Sequence, residues 1–331
     1  MEIVRARRQL TKSRQLLWLP VLAALVAAGC GGGSDFTGSD DDAPLDTTGG
    51  TVATGAVGDT TVAPPSIEPQ PFTVGQEAWH SGFHITFGDG VFTGESDTFT
   101  NEVDYRVTVD VSIENLSDQD WSMYTDQFAL VANGSAAPAG GESELPTVPS
   151  GLSSNGSLVF TVDEAFDPAT SAIVVGSADE ARAEIPLGGG DATTLEPSSS
   201  PLAGSLELEL LDLTFNGADF QYDNPGFFSN VEAGKVALTL RFDATSRKSG
   251  NWQVFADDFA LTLPDGSAVT PASSQLTPLA GSDGGTPTAD LSLTFVVPDP
   301  AAGNYNLRLI VGDWFVGEDG VNEAVYDFSL S

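Results

Sequence analysis

The chain has 331 residues, 47 acidic against 12 basic side chains, and a formal net charge of −35. Five of the bases (Arg5, Arg7, Arg8, Lys12, Arg14) fall in the first fourteen residues; without residues 1–29, 7 bases and 46 acids remain, a formal charge of −39. A surface of that sign repels nucleic acid and anionic headgroups and attracts cations, which excludes a nucleic-acid partner.

Residues 1–15 are basic, and Leu16 to Ala28 is a 13-residue apolar run interrupted by Pro20. A run that short does not cross a bilayer, which takes about 20 residues. A basic start, a short apolar segment and small residues before a cut predict a secretory signal peptide over 1–29. The junction Ala27-Ala28-Gly29-Cys30 resembles the bacterial lipobox, in which small residues precede a lipidated cysteine, although Ala27 stands where leucine is usual. The resemblance implies that Cys30 carries the lipid, exports the chain and anchors it on the extracytoplasmic side of the membrane. Two acyl chains on one residue give stable anchoring. Cys30 is also the one cysteine, so no intramolecular disulfide forms.

Residues 30–70 are Gly, Ser, Thr, Asp and Pro with few large apolar side chains. They predict a disordered acidic tether with a root-mean-square span of roughly 35 Å. Asp40-Asp41-Asp42 lies within it but lacks the spaced ligands and central glycine of an EF-hand loop.

Beyond residue 70 the chain repeats itself. Trp121 to Leu130 (WSMYTDQFAL) recurs as Trp252 to Leu261 (WQVFADDFAL). Upstream, Phe83 to Phe87 matches Leu211 to Phe215; downstream, Leu158 to Val162 matches Leu293 to Val297, and Ile173 to Gly176 matches Leu309 to Gly312. Val107, Val109, Val111 and Ile113 alternate with polar residues, as do Val236, Leu238, Leu240 and Phe242. Period two marks strands with one buried face. Near Leu206 the apolar phase moves from 206, 208, 210 to 211, 213, 215, which predicts a bulge or a strand crossing between sheets. Short strands separated by Gly, Pro and Asp turns predict an all-β chain of two tandem antiparallel β-sandwiches, over 71–188 and 204–331. The segment 189–203 (GGDATTLEPSSSPLA) reads as a flexible linker with loose coupling.

The alternating strand, the F-x-L strand (Phe128-Ala129-Leu130, Phe259-Ala260-Leu261) and the strand Gly156 to Val162, matched by Leu291 to Val297, resemble a bacterial family of secreted or lipid-anchored proteins. That family is similar to the secreted immunogenic proteins of mycobacteria. The resemblance covers both copies and implies immunoglobulin-like sandwiches; the family has no agreed catalytic residues, so none are implied here.

Candidate chemistry is sparse. His80 and His84, the two histidines, lie in a strand-like segment, where four residues advance about 13 Å, too far for one metal. No metal and no cofactor is expected. Asp126 and Asp257 occupy equal places in the copies and read as loop caps accepting backbone N–H bonds. Trp121 and Trp252 read as core packing, with a sugar-stacking platform as the other reading. No zinc-protease, serine-hydrolase, phosphate-loop or dinucleotide motif is present. The second copy has a longer hairpin carrying Trp314 and Phe315 and an aromatic loop carrying Phe227 and Phe228. Specificity sits on loops of a rigid scaffold, so these four residues are the predicted partner-binding patch, with a buried hairpin the competing reading of Trp314 and Phe315. The expected function is that of a non-enzymatic binding or structural module at the cell envelope, contacting an extracytoplasmic protein or glycan. The alternatives are a glycan-active hydrolase using paired carboxylates and a cation-responsive surface protein.

Overall fold

The structure is a computed structural model that describes residues 67–96, 102–247, 250–276, 279–281, 287–312, 320 and 322–331. The expected lipidation residue Cys30, the expected signal peptide and tether up to residue 66, and Trp314 and Phe315 lie outside the described residues.

The first sandwich begins with β1 (Ile67–His80), β2 (Phe83–Ser96) and β3 (Val103–Asn115). Alternation places Val107, Val109, Val111 and Ile113 inward, all essentially without exposed surface. Short strands follow: β4 (Trp121–Ser122), β5 (Phe128–Ala132), β6 (Ser135–Pro138) and β7 (Thr147–Val148). Then come β8 (Ser153–Val162), β9 (Ala172–Val175) and β10 (Ala183–Pro186). One sheet has the order β1-β2-β3-β8, the facing sheet β10-β9-β5-β6, and β4 pairs with β7 at the margin. Both sheets contribute to one core that contains Phe87, Phe128, Phe160, Ile85, Leu130 and Ile173. Each such side chain contributes about 1.5–3 kcal/mol by leaving water.

After the short β11 (Ser198–Ser200), the second sandwich repeats this plan. Its strands are β12 (Gly204–Leu208), β13 (Leu211–Gln221), β14 (Lys235–Ser246), β15 (Gly250–Trp252), β16 (Phe259–Thr262) and β17 (Ala268–Val269). They continue as β18 (Ser273–Gln275), β19 (Leu279–Gly281), β20 (Thr288–Pro298), β21 (Gly303–Ile310) and β22 (Glu323–Leu330). One sheet runs β11-β13-β14-β20-β18 with β12 also on β13, the other β17-β16-β21-β22, and β15 pairs with β19. Position by position, β12-β13-β14-β20 stands for β1-β2-β3-β8, and β22-β21-β16-β17 for β10-β9-β5-β6. The sequence repeat is therefore a repeat of topology. Met123, Phe128 and Leu130 are buried as are Val254, Phe259 and Leu261, while Tyr124 and Phe255 are exposed at equal places.

The structure corrects several expectations. The phase shift near Leu206 is neither a bulge nor a crossing strand. Leu208 pairs with Leu211 and Leu206 with Leu213, so Glu209-Leu210 is a two-residue hairpin turn. A reversal of direction keeps paired residues on one face, which in the sequence looks like a slip of one residue. Ser81-Gly82 is the equivalent turn in the first copy, with φ of 51° and 80° and His80 paired to Phe83. Positive φ at both positions suits a primed hairpin turn.

The expectation of a loose linker also fails. Thr193 exchanges backbone hydrogen bonds with Glu184, Thr194 O accepts from Trp79 N at 2.9 Å, and Ser198–Ser200 pairs with β13. Leu202 is buried in the second core. Small polar side chains signal flexibility only where the backbone has no partner, and here strand edges on both sandwiches supply one.

Candidate functional site

The two sandwiches meet through the β1–β2 turn, residues 177–182 and the loop from Tyr222 to Gly234, with Trp121 and Leu195 also at the junction. Ala181 N donates to Val231 O at 2.7 Å, and Ala233 N donates to Asp179 O at 2.9 Å. Asn230, buried, accepts from Ser81 N at 3.0 Å and donates to Ala181 O at 2.8 Å. Ala181, Val231 and Ala237 form a small apolar cluster with Leu195, Tyr222 and Val296 packed on it. Ala237 points away from its own sandwich core, and the neighbouring sandwich covers it. The Asp223 carboxylate accepts from the Ser81 and Gly82 amides, yet its pKa is raised because burial outweighs those bonds.

His80 lies under this junction with 1% of its surface exposed, and neither ring nitrogen has a hydrogen-bond partner in the protein. Desolvation lowers its pKa to about 4, so it is neutral at pH 7. His84 is on the other face of the hairpin, stacked on Trp79 with centroids 4.5 Å apart. Its Nδ1 lies 3.4 Å from Glu114 Oε2; its Nε2 is 3.2 Å from Glu77 Oε2 but poorly aligned for a hydrogen bond. The expectation that the histidines follow one another along a single strand is corrected: a turn separates them and they face opposite ways. Among the described residues, no three His, Cys, Asp or Glu side chains are grouped to hold a metal.

The loop from Tyr222 to Gly234 is itself a small ladder. Asp223 bridges to Asn230, Asn224 N donates to Ser229 O at 2.8 Å, and Val231 N donates to Tyr222 O at 2.7 Å. Gly226, with φ of 82°, turns the tip. At that tip Phe227 is 71% exposed. Phe228 instead stacks on Trp121 of the first sandwich, centroids 3.6 Å apart and planes 9° from parallel. Trp121 is thus only partly in the core, where the sequence placed it. One of its faces serves the junction. At the loop base Tyr222 Oη donates to Asp299 Oδ2 at 2.9 Å; burial first, then that carboxylate, pushes its pKa up to about 12.

Beside this loop opens a cleft of about 680 Å³. Ser117 and Asp118 line it from the first sandwich, and Gln221, Thr239, Arg241 and Gln275 are among its residues from the second. Buried Asn115 shapes the first wall. Its Nδ2 donates to Val148 O and Gln119 O, and its Oδ1 accepts from Ser117 N and Oγ, which uses the amide's full capacity. The second wall is the outward face of β13, β14 and β20. Thr239 and Thr294 hydroxyls are 2.9 Å apart, and Arg241 Nε is 2.7 Å from Asp219 Oδ2. Gly217 makes room for that guanidinium, since a Cβ there would sit 2.9 Å from an Arg241 nitrogen. Sequence reading missed the cleft. Its residues are the ordinary polar half of alternating strands, and the one local signal was the aromatic loop beside it.

The loop-cap reading of Asp126 and Asp257 is off by one residue. Both are exposed within short 3₁₀ turns, and Gln127 and Asp258 do the capping. Gln127 Oε1 accepts from Tyr124 N at 3.1 Å and Asp258 Oδ2 from Phe255 N at 2.8 Å. A side chain at the third position of the turn reaches back to the residue before it, as in a capping box.

No family model matches this chain, and no curated protein does. Among solved structures it is similar to a functionally unknown protein from Listeria monocytogenes EGD-e, with 17% identity and a TM-score of 0.25, covering 33% of this chain and 76% of that one. It is also similar to a conserved domain protein from Bacillus anthracis, with 10% identity and a TM-score of 0.21, covering 78% and 90% of the two chains. Likenesses at these TM-scores carry no inference about fold or function.

Proposed function

We propose that this protein is an exported, lipid-anchored envelope protein that acts as a non-enzymatic binding module, engaging an extracytoplasmic partner at the junction of its two sandwiches. The supporting observation is Phe227. This aromatic side chain, 71% exposed, offers apolar surface for a partner to cover, and its loop is hydrogen-bonded at the base and stacked on Trp121 through Phe228. An aromatic on a pre-ordered loop binds with little ordering cost, the usual character of an interface hot spot. Hydrolysis has less support. Asp118 and Asp290, the carboxylates lining the cleft, are both exposed, without the apolar surroundings that keep a catalytic carboxyl protonated. The anchor rests on the lipobox-like junction before Cys30; among the described residues no helix is long and apolar enough to cross a membrane.

Two measurements test the reading. Phe227→Ala in the full chain is expected to weaken retention on isolated envelope material at least tenfold while leaving the melting temperature unchanged; equal retention removes the proposed site. Cys30→Ser is expected to move the protein from the detergent phase to the aqueous phase, and persistence in the detergent phase removes the proposed anchor.

A further inference from the structure

The cleft at the junction is a site whose chemistry can be read further, and the inference rests on the binding reading above. Three charged side chains line it: Asp118, Arg241 and Asp290. Arg241 is already engaged by Asp219. The uncompensated fixed charge is therefore negative, within a chain of net charge −35. Such a cleft disfavours phosphate, sulfate and uronate ligands.

The rest of the lining is mostly neutral and hydrogen-bonding. Ser117, Gln221, Asn224, Thr239, Ser273 and Gln275 offer hydroxyl and amide groups that both donate and accept. A basic peptide uses acceptors and carboxylates but leaves such donors unmatched. A ligand rich in hydroxyls matches both kinds, because each hydroxyl donates once and accepts twice. One of the Thr239 and Thr294 hydroxyls donates to the other, which fixes the donor's rotor and leaves the acceptor's proton for a ligand. Phe227 follows directly on Gly226 of the lining and is exposed. An aromatic plane at the edge of a polar groove gives the apolar C–H face of a sugar ring a surface to lie on. The volume of about 680 Å³ is within the range of roughly 300–1,000 Å³ usual for small-ligand sites.

We infer that the cleft between the sandwiches binds a neutral oligosaccharide, its hydroxyls on the polar face of β13, β14, β18 and β20 and one ring against Phe227.

The test is calorimetric titration of the full chain with a panel of neutral hexose and N-acetylhexosamine oligosaccharides, alongside hexalysine and oligogalacturonate. Saturable binding of a neutral oligosaccharide is expected, weakened at least tenfold by Phe227→Ala and by Gln275→Ala. Gln275 is exposed on the edge strand β18, so its substitution leaves folding intact, which an unchanged melting temperature verifies. Absence of binding by every neutral oligosaccharide at millimolar concentration overturns the inference, as does binding that both variants leave unchanged, or hexalysine or oligogalacturonate binding in their place. If the panel fails while Phe227→Ala still abolishes retention on envelope material, the ligand class is wrong and the binding module stands. If Phe227→Ala has no effect in either assay, both readings fall.

Discussion

His80 makes the chain's stability depend on pH in a way that one substitution isolates. The ring is buried, its nitrogens have no partner in the protein, and burial depresses its pKa from 6.5 to about 4. The group is neutral in both states above pH 6.5, so it costs nothing there through titration. As pH falls below 6.5 the unfolded chain takes up a proton that the folded chain refuses, and stability is lost until the folded pKa is passed. With these pKa values the loss is about 1.4 kcal/mol at pH 5.5 and about 3 kcal/mol at pH 4. Two charged groups are near the site. Arg182 neighbours Gly176, whose Cβ position is 3.3 Å from His80 Cε1, and Asp223 is bound to the Ser81 and Gly82 amides. Asp223 has its pKa raised, so its own contribution runs the other way and gains stability on acidification. Comparison with His80→Leu cancels Asp223 and the other carboxylates, which both proteins share. The replacement forfeits no hydrogen bond, so it is expected to match or exceed the parent at pH 7.5. The assay is urea unfolding of the full chain, followed by tryptophan fluorescence at pH 7.5, 5.5 and 4.0. The advantage of His80→Leu is expected to grow by about 3 kcal/mol across that range. A constant difference at all three pH values would refute the reasoning, because it would mean that His80 is solvated or partnered when folded.

Two further substitutions probe the junction and the first sandwich. Asn230→Ala leaves Ala181 O without its side-chain donor and Ser81 N without its amide acceptor; a loss of about 2 kcal/mol or more is expected in denaturant unfolding, with faster hydrogen exchange at residues 80–82 and 177–182. Exchange that stays slow there would show that Asn230 does not hold the sandwiches together. Gly156→Ala puts a Cβ 2.4 Å from Glu144 O, a backbone atom held in the bridge to Ser157. Overpacking of this kind costs about 1–3 kcal/mol, so a lower melting temperature is expected, and an unchanged one would place the 140–146 loop elsewhere.

Much of the architecture was legible because it rests on period and repetition. The inward row Val107, Val109, Val111 and Ile113 is visible as alternation, and the paired motifs around Phe128 and Phe259 predict two copies of one plan. What misled was local chemistry with two structural meanings. A hairpin turn and a one-residue slip produce the same change of phase, and Glu209-Leu210 has none of the usual turn residues to separate them. Asp126 and Asp257 are the matching acids, yet the capping groups are Gln127 and Asp258, whose types differ between copies while their geometry agrees.

The sequence by itself determined that the chain is all-β, that it contains one sandwich plan twice, and which face of each long strand is buried. Those properties depend on the order of apolar and polar residues within single strands, where neighbours in sequence are neighbours in space. Only the tertiary structure decided that the sandwiches are docked, that Phe228 lies on Trp121, that His80 is buried next to the Ser81–Asn230 hydrogen bond, and that a polar cleft opens beside the loop carrying Phe227. Each of these joins residues far apart in the chain, from 49 between Ala181 and Asn230 to 149 between Ser81 and Asn230, and a polar or aromatic residue looks the same in sequence whether it faces water or another sandwich.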